Sequence, residues 1–397
     1  MALPFSDPVG STIAQKARVV IAGICALVLT VGIARFSYTP LLPVMRDHAG
    51  LSVVGGSWLA TINYAGYVSG ALVAATISRL EHKFILYRLG LVLALATTAA
   101  MGLTHSFIGW VVLRYIAGLS SVSGLLLASG LVLNWLIRHG QRPLLGVHFT
   151  GMGLGVVLSG VAAQLMASKL EWDRQWWVLA AVGVPFLLPA WFWMPSPSSG
   201  NAQPHGDSLP QTSRNWLITM IAAYFCAGIG YVVSATFIVE IVRNLPLMAG
   251  MGNLVWIMVG LAALPSSFVW DRVQHACGVM PALILAYIIE IIAIVIPAIF
   301  DGVAANLLAA ILFGGTFVGI VSLTLSLIGR RFPANPAKAM ARLTLSYGVA
   351  QIVAPAIAGR IAAQSGSYRS ALFIAAATMT MGVVLLLAAR FMHPSDD

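Results

Sequence analysis

The sequence predicts an all-α membrane protein with twelve transmembrane helices in two pseudo-symmetric six-helix bundles. Its mean hydropathy is +0.91, and 59% of its residues are hydrophobic while only 9% are charged. Soluble domains carry about 25% charged residues, whereas a chain inside a bilayer needs far fewer. Apolar windows long enough to cross a bilayer recur along the whole chain, and the second half repeats a pattern of the first.

Twelve apolar windows have about the 20 residues that a bilayer crossing requires. In the first half they cover 18–45, 55–79, 84–104, 106–137, 142–168 and 174–194. In the second half they cover 215–243, 249–270, 279–300, 303–329, 337–363 and 368–391. The stretch between them is rich in Ser, Pro, Gly, Asn and Gln, which is typical of a linker. The predicted division is an N-terminal bundle at 1–194, a linker at 195–214 and a C-terminal bundle at 215–397.

Lys and Arg residues between the spans fall mainly on the side of the N-terminus. Because cytoplasmic loops are enriched in these residues, both termini and the linker are predicted to be cytoplasmic. We expect a multi-pass protein of the bacterial inner (plasma) membrane, without a cleaved signal. The net charge of +10 comes from scattered single residues rather than from a basic stripe, so no nucleic-acid partner is expected.

Two similar segments lie 196 positions apart, about half of the 397-residue length. The first, at 32–43, reads GIARFSYTPLLP, and the second, at 228–239, reads GIGYVVSATFIV. Such internal repetition is typical of a duplicated membrane bundle. At the equivalent position the first copy has Arg35 and the second has Tyr231, so a charge sits inside only one of the two spans.

Short motifs resemble those of the major facilitator superfamily of transporters. Residues 267–272, SFVWDR, are similar to the superfamily's Gly-x-x-x-Asp-Arg loop, with Ser in place of Gly. The corresponding loop after the second span ends at Arg79 and lacks the acidic residue, while residues 114–118 resemble an Arg-x-x-x-Gly element. Over nearly the whole chain the pattern resembles the YbfB/YjiJ family more closely, through residues 32–43, 63–67, 314–319 and 347–351.

This resemblance implies a major facilitator fold that works by alternating access. It places spans 1, 4, 7 and 10 around a central cavity, with spans 2, 5, 8 and 11 beside them. It also implies that Arg79, Asp271 and Arg272 are gating-loop charges rather than substrate ligands.

Two arginines inside spans are the strongest functional candidates, because an ionisable group there costs about 2.5–3.5 kcal/mol on insertion. Arg35 and Arg114 each lie about 12 Å from the outer end of their span at 1.5 Å per residue, and Asn63 falls in the same layer. A guanidinium in a cavity can pair a carboxylate or phosphate through two hydrogen bonds. Alternatively, Arg35 could clamp helix-end carbonyls, and Arg114 could serve conformational change or proton coupling. The candidate substrate-binding residues are Arg35, Tyr38, Asn63, Tyr67, Arg114, Tyr231, Trp256, Tyr347 and Gln351.

The acidic residues of the first half all fall in termini or loops by this division. A carrier of cationic drugs would need a buried acid, so two arginines without one favour an anionic or neutral polar cargo. The proton-coupling candidates are Glu290, His148 and Glu240. Glu290, near the middle of the ninth span, is either structural or a proton carrier, and His148 is either packed or titratable near neutral pH. Glu240 is expected at the outer mouth, near water.

The predicted function is secondary active transport of a small polar or anionic organic solute, with protons as a second possible partner. The alternatives are broad-specificity efflux of apolar or cationic drugs and a non-transporting membrane sensor. No motif of an enzyme, a cofactor site or a metal site has the required context, so we expect no catalytic residue, no cofactor and no metal. The protein is expected to act as a monomer in the lipid bilayer.

Overall fold

The computed structural model describes residues 13–141, 145–197, 214–248, 250–332 and 336–392, which form a helical bundle without a β-strand. The helices of the first half are α1 Ile13–His48, α2 Val53–Thr76, α3 Leu80–Ala100, α4 Phe107–Arg138, α5 Leu145–Met166 and α6 Trp172–Phe192. Those of the second half are α7 Arg214–Arg243, α8 Gly252–Cys277, α9 Val279–Ile299, α10 Val303–Arg331, α11 Pro336–Ser365 and α12 Arg369–Met392. Most of the predicted linker lies outside the described residues.

Eleven helices in the described part of the chain are both long and apolar enough to cross a membrane. The twelfth, α2, is less apolar, but its 24 residues extend about 36 Å, which exceeds the roughly 30 Å hydrocarbon core. The predicted all-α architecture of twelve spanning helices is therefore confirmed.

Local sequence signals set several helix ends. Ser52 and Ser106 cap α2 and α4, because their hydroxyls accept hydrogen bonds from the backbone N–H groups of Gly55 and Gly109. Gly50 follows α1 with a φ of 71°, and Gly278 separates α8 from α9 with a φ of 90°. Residues other than glycine rarely adopt such angles, so these two glycines act as stop signals.

The predicted boundary of the eighth span was wrong. Helix α8 continues to Cys277, so Asp271 and Arg272 lie within its exposed last turns and not in a loop. The reason is that neither Gly nor Pro occurs between Pro265 and Gly278, so nothing stops the helix over these residues. Arg79, by contrast, lies in the connection between α2 and α3, as expected, and is exposed.

Two helices contain π-helical stretches that the sequence analysis did not predict. One covers Val28–Phe36 in α1 and includes Arg35, and the other covers Ser123–Ala128 in α4. The two stretches face each other, since a Cβ on Gly124 would overlap the hydroxyl of Thr30. Wide turns of this kind often occur at functional sites, because they change the direction of the side chains that follow.

The main contacts between the two halves are those of α5 with α8, of α2 with α11 and of α1 with α7. Helix α5 packs on α8, where a Cβ on Gly153 would overlap the backbone of Leu264. Helix α2 packs on α11, and the Thr61 hydroxyl donates a hydrogen bond to the carbonyl of Ile352 over 3.0 Å. Helices α1 and α7 are central, because residues 25–43 and 230–242 are continuously buried.

The end of the bundle at which α1 and α7 finish, with Arg46 and Arg243, is called the distal end below.

Candidate functional site

The Arg35 guanidinium lies in the centre of the bundle and not against lipid. The residue is only 5% exposed, and its Cζ atom lies 4.4 Å from the ring centre of Tyr64 and 4.9 Å from that of Tyr67. Its electrostatic partners among the described residues are Tyr64, Tyr67 and Tyr231, together with the like charge of Arg114, and no carboxylate is among them. Its Nε atom has no hydrogen-bond partner among the described residues. This charge is therefore stabilised by aromatic faces and hydroxyls, not by an acid.

Arg114 approaches the same region from α4. It is 3% exposed, its Cζ atom lies 4.3 Å from the ring centre of Tyr38, and its Nη1 atom donates to the carbonyl of Ala34 over 3.2 Å. That carbonyl belongs to the π-helical stretch of α1. Arg114 thus ties α4 to the turn that carries Arg35, while its Nε atom remains without a partner in the described chain.

Asn63 joins this pair from α2. Its Nδ2 atom donates to the carbonyl of Arg114 over 2.9 Å, and the residue is fully buried. The Tyr38 hydroxyl is also committed, because it donates to the carbonyl of Gly56 over 2.7 Å. Sequence analysis placed these side chains in one layer, and they do lie around one space.

That space is a cavity of about 10 Å³, which is room for about one water molecule. Its lining comes from α1, α2, α4 and α7, so both halves contribute. The lining residues are Arg35, Phe36, Tyr38, Thr39, Ala60, Asn63, Tyr64, Arg114 and Thr236. The site is closed around this cavity in the present conformation.

The second half contributes a wall of aromatic rings. Tyr231 stacks on Phe317, Tyr347 and Phe313 with ring centres 5.5, 5.8 and 6.3 Å apart, and Tyr347 stacks on Tyr224 at 4.5 Å. Tyr231 interacts with Arg35 and Tyr64, so it connects this wall to the arginine. Tyr347 lies one ring further away.

Two other predicted residues do not line the cavity. The indole nitrogen of Trp256 donates to the hydroxyl of Ser159 over 3.1 Å, and its ring packs edge-on against Phe36 at 6.0 Å. Trp256 therefore joins α8 to α5 beside the site. Gln351 is 3% exposed on α11, and its Oε1 atom has no hydrogen-bond partner among the described residues.

The proton-coupling candidates lie in three different places. Glu290 is fully buried on α9, near Thr316 and electrostatically close to Tyr231. Neither of its carboxyl oxygens has a hydrogen-bond partner in the described chain, and the Thr316 hydroxyl donates instead to the carbonyl of Leu312. His148 is fully buried on α5, with its Nε2 atom 2.8 Å from the hydroxyl of Ser129. Glu290 and His148 are thus both enclosed by protein.

Glu240 was expected at the outer mouth, near water, and this expectation was wrong. It is fully buried at the distal end, because Arg46 of α1 pairs with its Oε1 atom and Arg243 lies 3.0 Å from its Oε2 atom. Arg243 also makes two hydrogen bonds of 2.6 and 2.9 Å to the carboxylate of Asp47. This group of four side chains, here called the distal ion-pair cluster, holds the two halves together beyond the cavity.

The sequence analysis missed Tyr64, Thr236 and the pairing within the distal ion-pair cluster. One signal could have found the pairing. Asp47 and Arg243 are 196 positions apart, as are Thr39 and Ala235, whose hydroxyl and carbonyl are 2.7 Å apart. This is the same offset as that of the internal repeat, so equivalent residues of the two halves meet at the pseudo-twofold axis.

Twelve spanning helices in two halves, with buried polar residues between them and ion pairs closing one end, form the architecture of a membrane transporter. The family profile described as "Uncharacterised MFS-type transporter YbfB" matches residues 27–387. The chain belongs to this family, within the major facilitator superfamily, as the sequence resemblance predicted.

Two curated relatives have similar sequences. The uncharacterized MFS-type transporter YceJ of Bacillus subtilis is 25% identical over 280 residues, which cover 65% of this chain and 67% of YceJ. The probable sulfoacetate transporter SauU of Cupriavidus necator is 23% identical, and the match covers 96% of this chain and 94% of SauU. Among solved structures, a mutant of the nucleoside transporter NupG has a TM-score of 0.75 at 11% identity, and the match covers 94% of this chain and 99% of NupG. At that identity the likeness to NupG concerns the fold alone.

Proposed function

We propose that this protein is a secondary active transporter that moves a small organic anion across the inner membrane by alternating access. The observation that carries the proposal is the pair of buried guanidiniums at the cavity, which have no carboxylate partner in the part of the chain that the structure describes. A buried charge is stabilised by an opposite charge, and a cargo anion can supply it. The sulfoacetate named for SauU is an anion of this kind, which favours the same cargo class here.

The distribution of Lys and Arg residues along the chain indicates which side of the membrane the distal end faces. We place the distal end on the outer face, because most Lys and Arg residues between spans lie at the opposite end. The present conformation is then closed toward the outside by the distal ion-pair cluster. The protein acts as a monomer in this proposal, with both termini in the cytoplasm.

Proton coupling is part of the proposal, with Glu290 and His148 as the candidate carriers. Glu290 is favoured because it interacts electrostatically with Tyr231, which also interacts with Arg35, so Tyr231 links the protonation of Glu290 to anion binding at Arg35. His148 lies instead against Ser129 of α4. We assign Glu240 to the distal ion-pair cluster rather than to proton transfer.

Binding of organic anions to the purified protein tests the proposal. We expect sulfoacetate and small carboxylates to raise the melting temperature of the wild-type protein, and Arg35→Ala to weaken the binding roughly 10- to 100-fold, because a hydrogen bond to a charged group contributes about 1.5–3 kcal/mol. The matched control is Arg360→Ala, which removes an exposed arginine of α11 and should leave binding unchanged. Uptake into proteoliposomes gives the second measurement. Equal anion uptake by the wild-type protein and by a folded Arg35→Ala variant would contradict the proposal that Arg35 binds the transported anion.

The alternative is efflux of apolar or cationic compounds, and the aromatic wall around Tyr231 is the observation that favours it. Cations bind to the faces of aromatic rings, and five stacked rings are available. The two neighbouring arginines oppose a cation by like-charge repulsion. Stabilisation by a quaternary ammonium compound, without stabilisation by any anion, would favour the alternative, and absence of both transport activities would favour the membrane sensor.

A further inference from the structure

The orientation of the Asn63 side-chain amide follows from its surroundings. Its Nδ2 atom lies 2.9 Å from the backbone carbonyl oxygen of Arg114, which can only accept a hydrogen bond. The amide must therefore present its nitrogen to Arg114, and Oδ1 is left facing another direction. Oδ1 is an acceptor, is fully buried, and has no hydrogen-bond partner among the described residues.

Two nearby hydroxyls cannot satisfy Oδ1, because each already donates its single proton elsewhere. The Tyr38 hydroxyl donates to the carbonyl of Gly56 over 2.7 Å, and the Thr39 hydroxyl donates to the carbonyl of Ala235 over 2.7 Å. The Tyr64 hydroxyl interacts with Arg35 and Tyr231. Buried polar atoms are nearly always paired, so an unpaired acceptor beside a cavity requires an explanation.

The cavity lining also contains unpaired atoms that can donate a hydrogen bond. The Nε atoms of Arg35 and Arg114 can only donate, whereas the Thr236 hydroxyl can donate or accept. A guest that satisfies all of them needs an anionic group for the two guanidiniums and, close to it, a group that donates to Asn63. A plain alkyl carboxylate or sulfonate supplies only the first.

We infer that the cargo is an anion that carries a hydroxyl or amino group next to its charge, and that Asn63 selects for this group through Oδ1. This inference rests on the proposed function and narrows its substrate class. The hydrogen bond from Nδ2 to the carbonyl of Arg114 links α2 to α4, which accounts for the donor group of the Asn63 amide. It does not explain the acceptor half.

The test compares pairs of anions that differ only by one hydroxyl group. The pairs are glycolate and acetate, lactate and propionate, and 2-hydroxyethanesulfonate and ethanesulfonate, each measured by calorimetric titration of the purified full-length protein. We expect the wild-type protein to bind the hydroxylated member roughly 5- to 100-fold more tightly in at least one pair, since losing that donor leaves a buried acceptor unpaired. This measurement needs no variant.

Three variants assign the preference to a residue. Asn63→Leu removes the acceptor and is expected to bind both members of a pair equally. The matched control is Asn306→Leu, which changes an equally buried amide with an unpaired Oδ1 in α10, outside the cavity lining, and should keep the preference. Thr236→Val removes the other unpaired oxygen of the lining, so it tests the competing acceptor. If Asn63→Leu does not fold, the wild-type ratio and the Thr236→Val ratio still decide, because loss of the preference in Thr236→Val would overturn the assignment to Asn63.

The outcomes separate this inference from the proposal on which it rests. Anions that bind without any preference for a hydroxyl would overturn the inference and leave anion transport standing. Failure of sulfoacetate and of all six anions to bind would overturn both.

Discussion

The environment of Glu240 shows that the distal end is closed in the present conformation. Its side chain is fully buried, with Arg46 from the other half on one oxygen and Arg243 near the other. Removing one partner of a fully buried ion pair costs about 3–5 kcal/mol. Loss of the Glu240 charge costs less than this, because the arginines that remain, Arg46 and Arg243, are 24% and 25% exposed. A half-exposed carboxylate such as Asp47, with 49% of its side chain exposed, contributes about 0–1 kcal/mol. The two acids of one cluster should therefore differ in their effect on closure.

Glu240→Gln is predicted to open the distal end. The reporter is Thr39→Cys in a background without the native cysteines, because Thr39 lines the cavity on α1, seven residues before Arg46. This substitution removes the hydrogen bond to Ala235 equally from every protein compared. We expect Glu240→Gln to raise the rate at which a membrane-impermeant maleimide labels this cysteine by at least roughly tenfold, because the closed state loses its buried pair. The matched control, Asp47→Asn, should raise it by less than about fivefold. Equal labelling of all three proteins would show that Glu240 does not hold the distal end closed.

Among the helices, α1 depends on a close approach that no other residue type allows. Its π-helical stretch places Gly32 directly against the backbone of Gly155 in α5, so a Cβ on either glycine would overlap the other helix. Neither side of this contact is a flexible side chain. Arg35 follows three residues after Gly32, so the same contact also positions the arginine.

Gly32→Ala is predicted to destabilise the protein by about 1–3 kcal/mol, the usual cost of overpacking. The matched control is Gly130→Ala in α4, where no atom lies within 4 Å of the new Cβ, and this substitution should be tolerated. Thermal unfolding in detergent, followed by tryptophan fluorescence, measures both. A melting temperature of Gly32→Ala equal to that of Gly130→Ala would contradict the required close approach.

At the scale of the whole molecule, the proposed alternating-access mechanism requires the distal ends of the two halves to separate. Asp47 and Arg243 occupy equivalent positions of the repeat and meet across the halves. Asp301 and Arg369 form a similar pair, 3.2 Å apart, but both belong to the second half. One ion pair must break during alternating access, and the other can persist.

Cross-linking across the halves is predicted to stop transport reversibly. Cysteines at positions 47 and 243, joined by a bifunctional methanethiosulfonate reagent, should abolish uptake into proteoliposomes, and a reducing agent should restore it. The control pair at positions 301 and 369 should retain most of its uptake after the same treatment. Full uptake by the cross-linked 47–243 protein would exclude a rocking motion of the two halves.

Much of this protein was determined by the sequence alone, namely the fold class, the twelve spans and the two arginines inside them. These features depend on local properties, because hydropathy along the chain sets the spans and the insertion cost marks a buried charge wherever it occurs. The end of α8 was misjudged, although Gly278 was available as the stop signal.

Only the tertiary structure decided which polar atoms meet. The burial of Glu240 comes from Arg46, 194 positions away, and Asn63 is oriented by a carbonyl of α4. The π-helical stretch that carries Arg35 is stabilised by packing on Gly155 and has no signal of its own in the sequence. Contacts of this kind depend on how the two halves come together, so no local property of the chain specifies them.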